Sequence, residues 1–248
     1  IGHTDIWFGG IPVDVGDKGA ALRAALGDKN DYEAYKAALK AMSEMGKAPV
    51  SEFMTGPYWE MTNVKALYLP NRQILKVSGE ESRVFLQGLV SNDMMRVSED
   101  CAIYAALLTP QGKYLHDFFI LESENNFYLD CEATRIDDLF RRLKIFKLRT
   151  NVIIELEKKM CAVAIFGDRA IEALSLNTSL GYSKPYESGI FYTDPRIETI
   201  GARGIVPKTS IAKLSENDNL KITPFENYDK LRISLGLPDS SRDMRIEK

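Results

Sequence analysis

The sequence predicts an α+β fold, and three observations carry that prediction. Three apolar runs, 103–109, 114–121 and 127–131, are separated only by Pro110-Gln111-Gly112 and Glu124-Asn125-Asn126, so they read as an antiparallel meander joined by turns. An amphipathic helix over 134–146 follows, with Ile136, Leu139, Phe140 and Leu143 at core spacing. Strands come in runs and not in strict alternation with helices, which argues against a doubly wound parallel sheet. With 248 residues, 45% apolar and 27% charged, the chain can bury one or two ordinary cores.

The elements follow in order. Residues 1–62 hold nine acidic and six basic side chains and so carry the whole net charge of -3, which marks a separate N-terminal segment. Ile6 to Pro12 is apolar but broken by Gly and Pro, as in an arm packed on another surface. Helices are expected over 18–26 and 31–45, the second with Tyr32, Tyr35, Leu39 and Met42 in register and a stop at Gly46. From Asn63, residues 73–77 read as a strand, and Ser78-Gly-Glu-Glu81 as a capping box opening a helix through Val84, Phe85 and Leu89. Thr134-x-x-Asp137 resembles a cap for the amphipathic helix. Strands are expected over 151–156 and 161–166, and Gly167-Asp168 leads a short helix through Ile171 and Leu174. Residues 177–200 and 213–227 are richer in turn formers. The expected organisation is a helical extension over 1–62, one α+β subdomain over 63–150 and a second over 151–248.

Composition excludes several function classes. A pI near 5.6 is far from the basic balance of a dedicated nucleic-acid binder. No stretch approaches the roughly 20 apolar residues of a membrane span. The start at Ile1 shows no secretory signal, and because it is not Met, a processed or partial product is expected. Cys101, Cys131 and Cys161 have no Cys or His at metal-ligand spacing and read as core residues in a reducing compartment. There is no Gly-rich phosphate loop, nucleophile elbow or H-E-x-x-H. What remains is a scatter of polar residues. Asp117, in Tyr114-Leu-His-Asp-Phe-Phe-Ile120, is either an outward strand position or a carboxylate that must be paired or shifted. Arg232, in an apolar stretch, sits on the polar face of a helix or clamps a carboxylate. Asp194-Pro195-Arg196 is a rigid turn.

Six segments in order then resemble a known family. They are Tyr68-Leu-Pro-Asn-Arg-Gln-Ile-Leu-Lys-Val-Ser-Gly79, Phe85-Leu-Gln-Gly-Leu-Val-Ser-Asn-Asp93, Leu108-Thr-Pro-Gln-Gly-Lys113 with Asp117, Lys147-Leu-Arg149, Asp194-Pro-Arg196 with Gly201 and Arg203, and 228–238. Together they resemble the YgfZ/GcvT-like folate-binding family, related to the aminomethyltransferase T-protein of glycine cleavage, over about three quarters of the chain. The resemblance implies an aminomethyltransferase-like fold around a tetrahydrofolate channel, with a role in iron–sulfur protein assembly or repair and an indirect effect on tRNA modification. It implies partners among iron–sulfur proteins or their assembly machinery, a docking partner for 1–62, and a bacterial cytoplasm or mitochondrial matrix. Carried over by position, Asp117, Arg232, Asn92, Asp93, Arg203 and Arg149 are the expected cofactor-binding residues. A carboxylate suits the amide-like edge of a pterin and an Arg suits the glutamate tail. The family's K-G-C-[FY]-x-G-Q-E motif is expected shortly after Asp243, whereas the sequence ends at Lys248, so the closing β-barrel is expected to be lacking. Where the transferases carry Gly-Glu, this chain has Gly201-Ala202, which disfavours aminomethyl transfer. The reading is a folate-binding accessory factor. The alternatives are a structural subunit on a degenerate core and a folate-dependent one-carbon transferase.

Overall fold

The computed structural model describes residues 5–8, 11–14, 64–186, 189–211 and 220–246. The chain divides into two compact units, Ile1–Thr62 and Asn63–Lys248. In the first, strands β1 (Asp5–Phe8) and β2 (Ile11–Asp14) pair antiparallel, Trp7 opposite Pro12. The described part of this segment, within the stretch expected to be an arm broken by Gly and Pro, is a hairpin; the helices expected over 18–26 and 31–45 lie outside the described residues.

The second unit is α+β and is built on two sheets. Strands β3 (Val64–Tyr68) and β4 (Arg72–Ser78) are followed by helix α1 (Ser82–Gln87). The meander β5 (Ile103–Leu108), β6 (Tyr114–Ser123) and β7 (Asn126–Glu132) runs into helix α2 (Ile136–Lys147). Then come β8 (Ile153–Glu157), β9 (Met160–Phe166), the short helix α3 (Ala170–Ala173), β10 (Ser183–Tyr186), β11 (Gly189–Thr193), β12 (Ala202–Pro207), β13 (Leu220–Ile222) and helix α4 (Phe225–Ser234). One sheet has the order β5-β6-β7-β4-β8, the other β10-β11-β12-β9-β3-β13. Among the described residues only β13 and β3 pair in parallel. The sheets do not divide at residue 150, because β3 joins the later strands while β8 joins the earlier ones.

Three apolar layers follow from strand alternation. Leu75, Val77, Phe118 and Leu129 pack against Phe85 and Leu86 of α1 and Ile136, Leu139 and Leu143 of α2. Phe119 and Leu121 of one sheet meet Ala162, Ala164, Phe166 and Tyr192 of the other. Cys161, Val163 and Ile165 face α3. Strand β9 is thus buried on both faces, which is why its sequence is an unbroken apolar run.

Two expected caps do not form. Ser78 closes β4, and Gly79, at φ +108°, turns so tightly against Asn151 that a Cβ there would lie 2.3 Å from the Asn151 carbonyl oxygen. Glu81 accepts from the Asn151 amide and is spent on that link instead of on a capping box. Thr134 lies in a 3-10 turn (Ala133–Arg135) that precedes α2 and makes no cap. The turn-rich region 177–200 also yields the β10–β11 hairpin, which tolerates Pro185 because β10 is an edge strand.

The side of β6 that faces α2 carries His116, 4% exposed, with Nε2 2.9 Å from Asp138 Oδ2. Burial pushes the imidazole below its ordinary range, against the pull of Asp138. With a depressed folded pKa, the unfolded chain takes up the proton first, so stability present above about pH 6.5 is lost as pH falls. His116→Gln is expected to flatten the fall in melting temperature between about pH 7 and pH 5, measured by thermal unfolding in a pH series.

Candidate functional site

The site begins with an irregularity in β6. Leu107 pairs with His116 but Leu108 pairs with Tyr114, so Leu115 is an extra residue in the strand, a β-bulge. Leu115 and His116 therefore both turn toward the helices, and Tyr114 and Asp117, three residues apart, come to the same side. In a regular strand they would face opposite ways. Asp117, only 7% exposed, accepts hydrogen bonds from Tyr114 Oη at 2.5 Å and from Tyr104 Oη at 2.6 Å. Ala106 stands opposite Asp117 and leaves room for both rings. Burial, reinforced by the Asp117 charge, pushes both phenols well above their ordinary range, so each stays a donor.

Behind this carboxylate lies a buried ion cluster. Asp130 of β7 is fully buried and receives Arg72 Nε at 2.7 Å and Arg203 Nη2 at 2.6 Å on its two oxygens. Burial alone would push the Asp130 carboxyl up, but the two guanidinium groups outweigh it and hold it below the usual carboxylate range. Arg203 Nη1 also donates to Tyr228 Oη at 3.0 Å. The Phe119 ring lies under three guanidinium groups, those of Arg203 at 4.2 Å, Arg196 at 4.9 Å and Arg72 at 5.6 Å from its centroid. Arg196 is itself clamped by Asp194, Nε at 3.0 Å and Nη2 at 2.8 Å. Glu132, beside Arg72, is pushed upward by burial, against the attraction of Arg72.

These groups line a narrow cleft whose cavity volume is about 30 Å³, set in about 400 Å³ of non-atom space that includes open solvent. Asn71, Asp117 and Phe119 meet Arg196, Arg203, Tyr228, Arg232 and the turn residues Pro238, Asp239 and Ser240. The lining carries four arginines against two carboxylates. Asn71 Oδ1 is buried without a hydrogen-bond partner. A ligand suited to the cleft therefore offers N–H donors to Asp117 and Asn71, beside arginines that are each already paired with an acid of the protein.

Of the expected residues, the structure brings Asp117, Arg203 and Arg232 together and leaves three elsewhere. Asn92 ties its side chain to the Tyr104 carbonyl, and Asp93 accepts from the Met95 amide at the start of a 3-10 turn, Met94–Arg96. Neither lines the cleft. Arg149 borders a separate surface depression with Glu81, Leu148 and Thr150. Asn92 and Asp93 spend their side chains on the protein's own backbone, and Arg149 is exposed on the surface away from the cleft. Arg232 is buried, but its Nε and Nη1 are held by Asp229, Asp243 and the Leu237 carbonyl. Asp130 and Arg72 were missed. Asp130 gave the same signal as Asp117, a lone carboxylate in an apolar strand. Cys131 and Cys161 are buried, with the Cys161 thiol pushed up to about 11 by burial, while Cys101 is half-buried. Among the described residues no three His, Cys, Asp or Glu side chains converge to hold a metal, and no helix is long and apolar enough to cross a membrane.

In fold this is an aminomethyltransferase-like protein. The crystal structure of glycine cleavage system aminomethyltransferase T from Bartonella henselae superposes with a TM-score of 0.61 at 15% identity, over 73% of this chain and 54% of that one. No family model matches the sequence. Curated relatives include the mitochondrial iron–sulfur cluster assembly factor IBA57 homologs of Mycosarcoma maydis, 28% identical over 76% of this chain and 46% of the relative, and of Neurospora crassa, 24% over 71% and 42%. An aminomethyltransferase of Desulforamulus reducens is 29% identical over 44% of this chain and 30% of its own length. The chain is thus similar both to iron–sulfur cluster assembly factors and to aminomethyltransferases, and it spans less than half the length of these curated relatives.

Proposed function

We propose that this chain is the ligand-binding core of an accessory factor in iron–sulfur cluster assembly, and that its cleft takes tetrahydrofolate. The observation that carries the reading is the bulge-positioned Asp117 in an arginine-lined cleft, within a family whose relatives include factors named for iron–sulfur cluster assembly. The donor set fits the cofactor. Asp117 and the orphaned Asn71 oxygen suit the N–H groups of a pterin, while Arg196 and Arg203, each with both forks at least partly engaged by the protein, offer an anionic tail a positive wall and single N–H contacts, not a bidentate clamp. When bound, the folate would supply a one-carbon carrier; the residues here bind and orient it. The iron–sulfur cluster is cargo of the pathway, and any effect on tRNA modification is indirect, through enzymes that need clusters. The mitochondrial relatives favour the mitochondrial matrix.

Tetrahydrofolate at about 100 times its dissociation constant is expected to add roughly 2.7 kcal/mol of stability, a rise of several degrees in melting temperature. Asp117→Ala is expected to abolish that rise. Absence of a rise in the wild type would sink the folate reading. One observation favours a second reading, a structural subunit that has lost its ligand: the Arg expected to hold the ligand tail is already engaged inside the protein. Transfer chemistry has less support, since Ala202, where the transferases carry an acid, is buried in the core.

A further inference from the structure

One wall of the cleft is the turn that follows α4, through Pro238, Asp239 and Ser240. This turn is held at several points: the Leu237 amide donates to the Arg232 carbonyl, Arg135 Nη1 to the Ser240 carbonyl, and Leu237 packs against the core. Arg232, 5% exposed, donates from Nε to Asp229 Oδ1 at 2.6 Å, and from Nη1 to the Leu237 carbonyl at 3.0 Å and to Asp243 Oδ2 at 2.5 Å. The same Asp243 oxygen accepts from the Asp239 amide at 2.8 Å, and the Asp243 amide returns a bond to the Asp239 carbonyl at 2.8 Å. Arg242 Nη2 adds a bridge between Asp229 and Asp239, 2.8 Å to each.

A guanidinium grips a carboxylate with two parallel N–H groups, either Nε with one Nη or the two Nη together. In Arg232 both forks include a nitrogen already committed to the turn, so no intact fork is left for a ligand. Asp243, by contrast, does not itself line the cleft and has a side chain 41% exposed. We propose that Asp243 is a positioning residue for the cleft: through Arg232 and the Asp239 amide it latches the 237–243 turn against α4 as the wall that completes the ligand site, with Arg232 the buried half of that latch. A wall fixed before the ligand arrives spares binding the cost of ordering it. The latch itself stands on geometry; its effect on affinity rests on the tetrahydrofolate reading.

The test uses the full 248-residue chain with Asp243→Asn, Asp243→Glu, Arg232→Lys and the Arg232→Lys/Asp243→Asn pair. Amide hydrogen exchange is read without ligand, and tetrahydrofolate affinity by titration. Loss of one charge-assisted bond is expected to speed exchange of the Asp239 and Asp243 amides about tenfold or more, leaving β4 and β9 unchanged, and to weaken tetrahydrofolate by about the same factor. Asp243→Glu is expected to restore most of both. The double variant is expected to lose little more than Asp243→Asn alone, as for two halves of one device. Unchanged exchange in Asp243→Asn overturns the latch. So does Arg232→Lys weakening tetrahydrofolate while the turn exchanges as in the wild type, which would make Arg232 a ligand contact. If the wild type does not bind tetrahydrofolate, the folate reading fails, and the exchange measurement alone decides the latch.

Discussion

Asp130→Ala is expected to destabilise the protein by about 3–5 kcal/mol, because it strands two buried guanidinium groups. Arg72 and Arg203 are 9% and 4% exposed, and each spends its shortest carboxylate contact on Asp130. For a chain of this size that is a fall in melting temperature on the order of 10 °C. Chemical denaturation and thermal unfolding both read it. Replacing Arg72, Asp130 and Arg203 together by apolar residues of similar volume is expected to recover part of the loss, since the penalty comes from the unpaired charges more than from the absent bonds. That variant should no longer respond to an anionic ligand. The pH dependence has a definite sign. Asp130 is held low in the folded state, so its contribution is present above about pH 4 and is lost as pH falls below that value. Asp130→Ala removes this part of the acid limb. A mutant whose acid unfolding midpoint and neutral stability both match the wild type would show that the cluster is not what holds the two sheets together here.

The second large effect is expected at Gly201. Its φ is +98°, and a Cβ would lie 2.4 Å from the Ile165 carbonyl oxygen, against backbone that cannot swing aside. Its own amide donates to the Glu198 carbonyl, and its carbonyl accepts from the Asp194 amide at 3.0 Å. Gly201→Ala therefore combines left-handed strain with a clash against the central strand β9, at an expected cost of about 2–4 kcal/mol. The displacement is transmitted to Asp194, which orients Arg196 over Phe119. Loss of tetrahydrofolate response at a temperature where the variant is still folded would place the Asp194–Arg196 turn in the site; a full response would separate it from binding.

The parts of the fold that were legible in the sequence are those where one physical signal dominates. The meander, β4, β9 and α2 each present a clear period or an unbroken apolar run bounded by turn formers. The hairpin β10–β11 and strand β12 were not legible. They are short, and Pro185, Gly189 and Gly204 are strand-weakening residues whose positions make sense only once their neighbours are known. The two expected caps failed because Glu81 links to Asn151 and because a 3-10 turn puts Arg135, not Thr134, at the start of α2, and the local pattern shows neither.

The candidate site divides in the same way. Asp117 stood out as a lone carboxylate among aromatic residues, and the family resemblance singled it out further. Strict alternation would have put Tyr114 on the opposite face; the bulge at Leu115 reversed that. Asp130 meets Arg72 from 58 residues earlier and Arg203 from 73 residues later. Nothing local announces either pairing.

The sequence by itself determined the α+β class, the family resemblance, and the candidacy of Asp117, because these rest on periodicity, turn chemistry and ordered motifs within short windows. Only the tertiary structure decided that the sheets exchange strands across residue 150, that Asn92, Asp93 and Arg149 stay outside the cleft, and that Arg232 turns inward to Asp243. Those outcomes depend on which distant charges must share a desolvated space, and a buried charge takes the partner that the fold brings within reach.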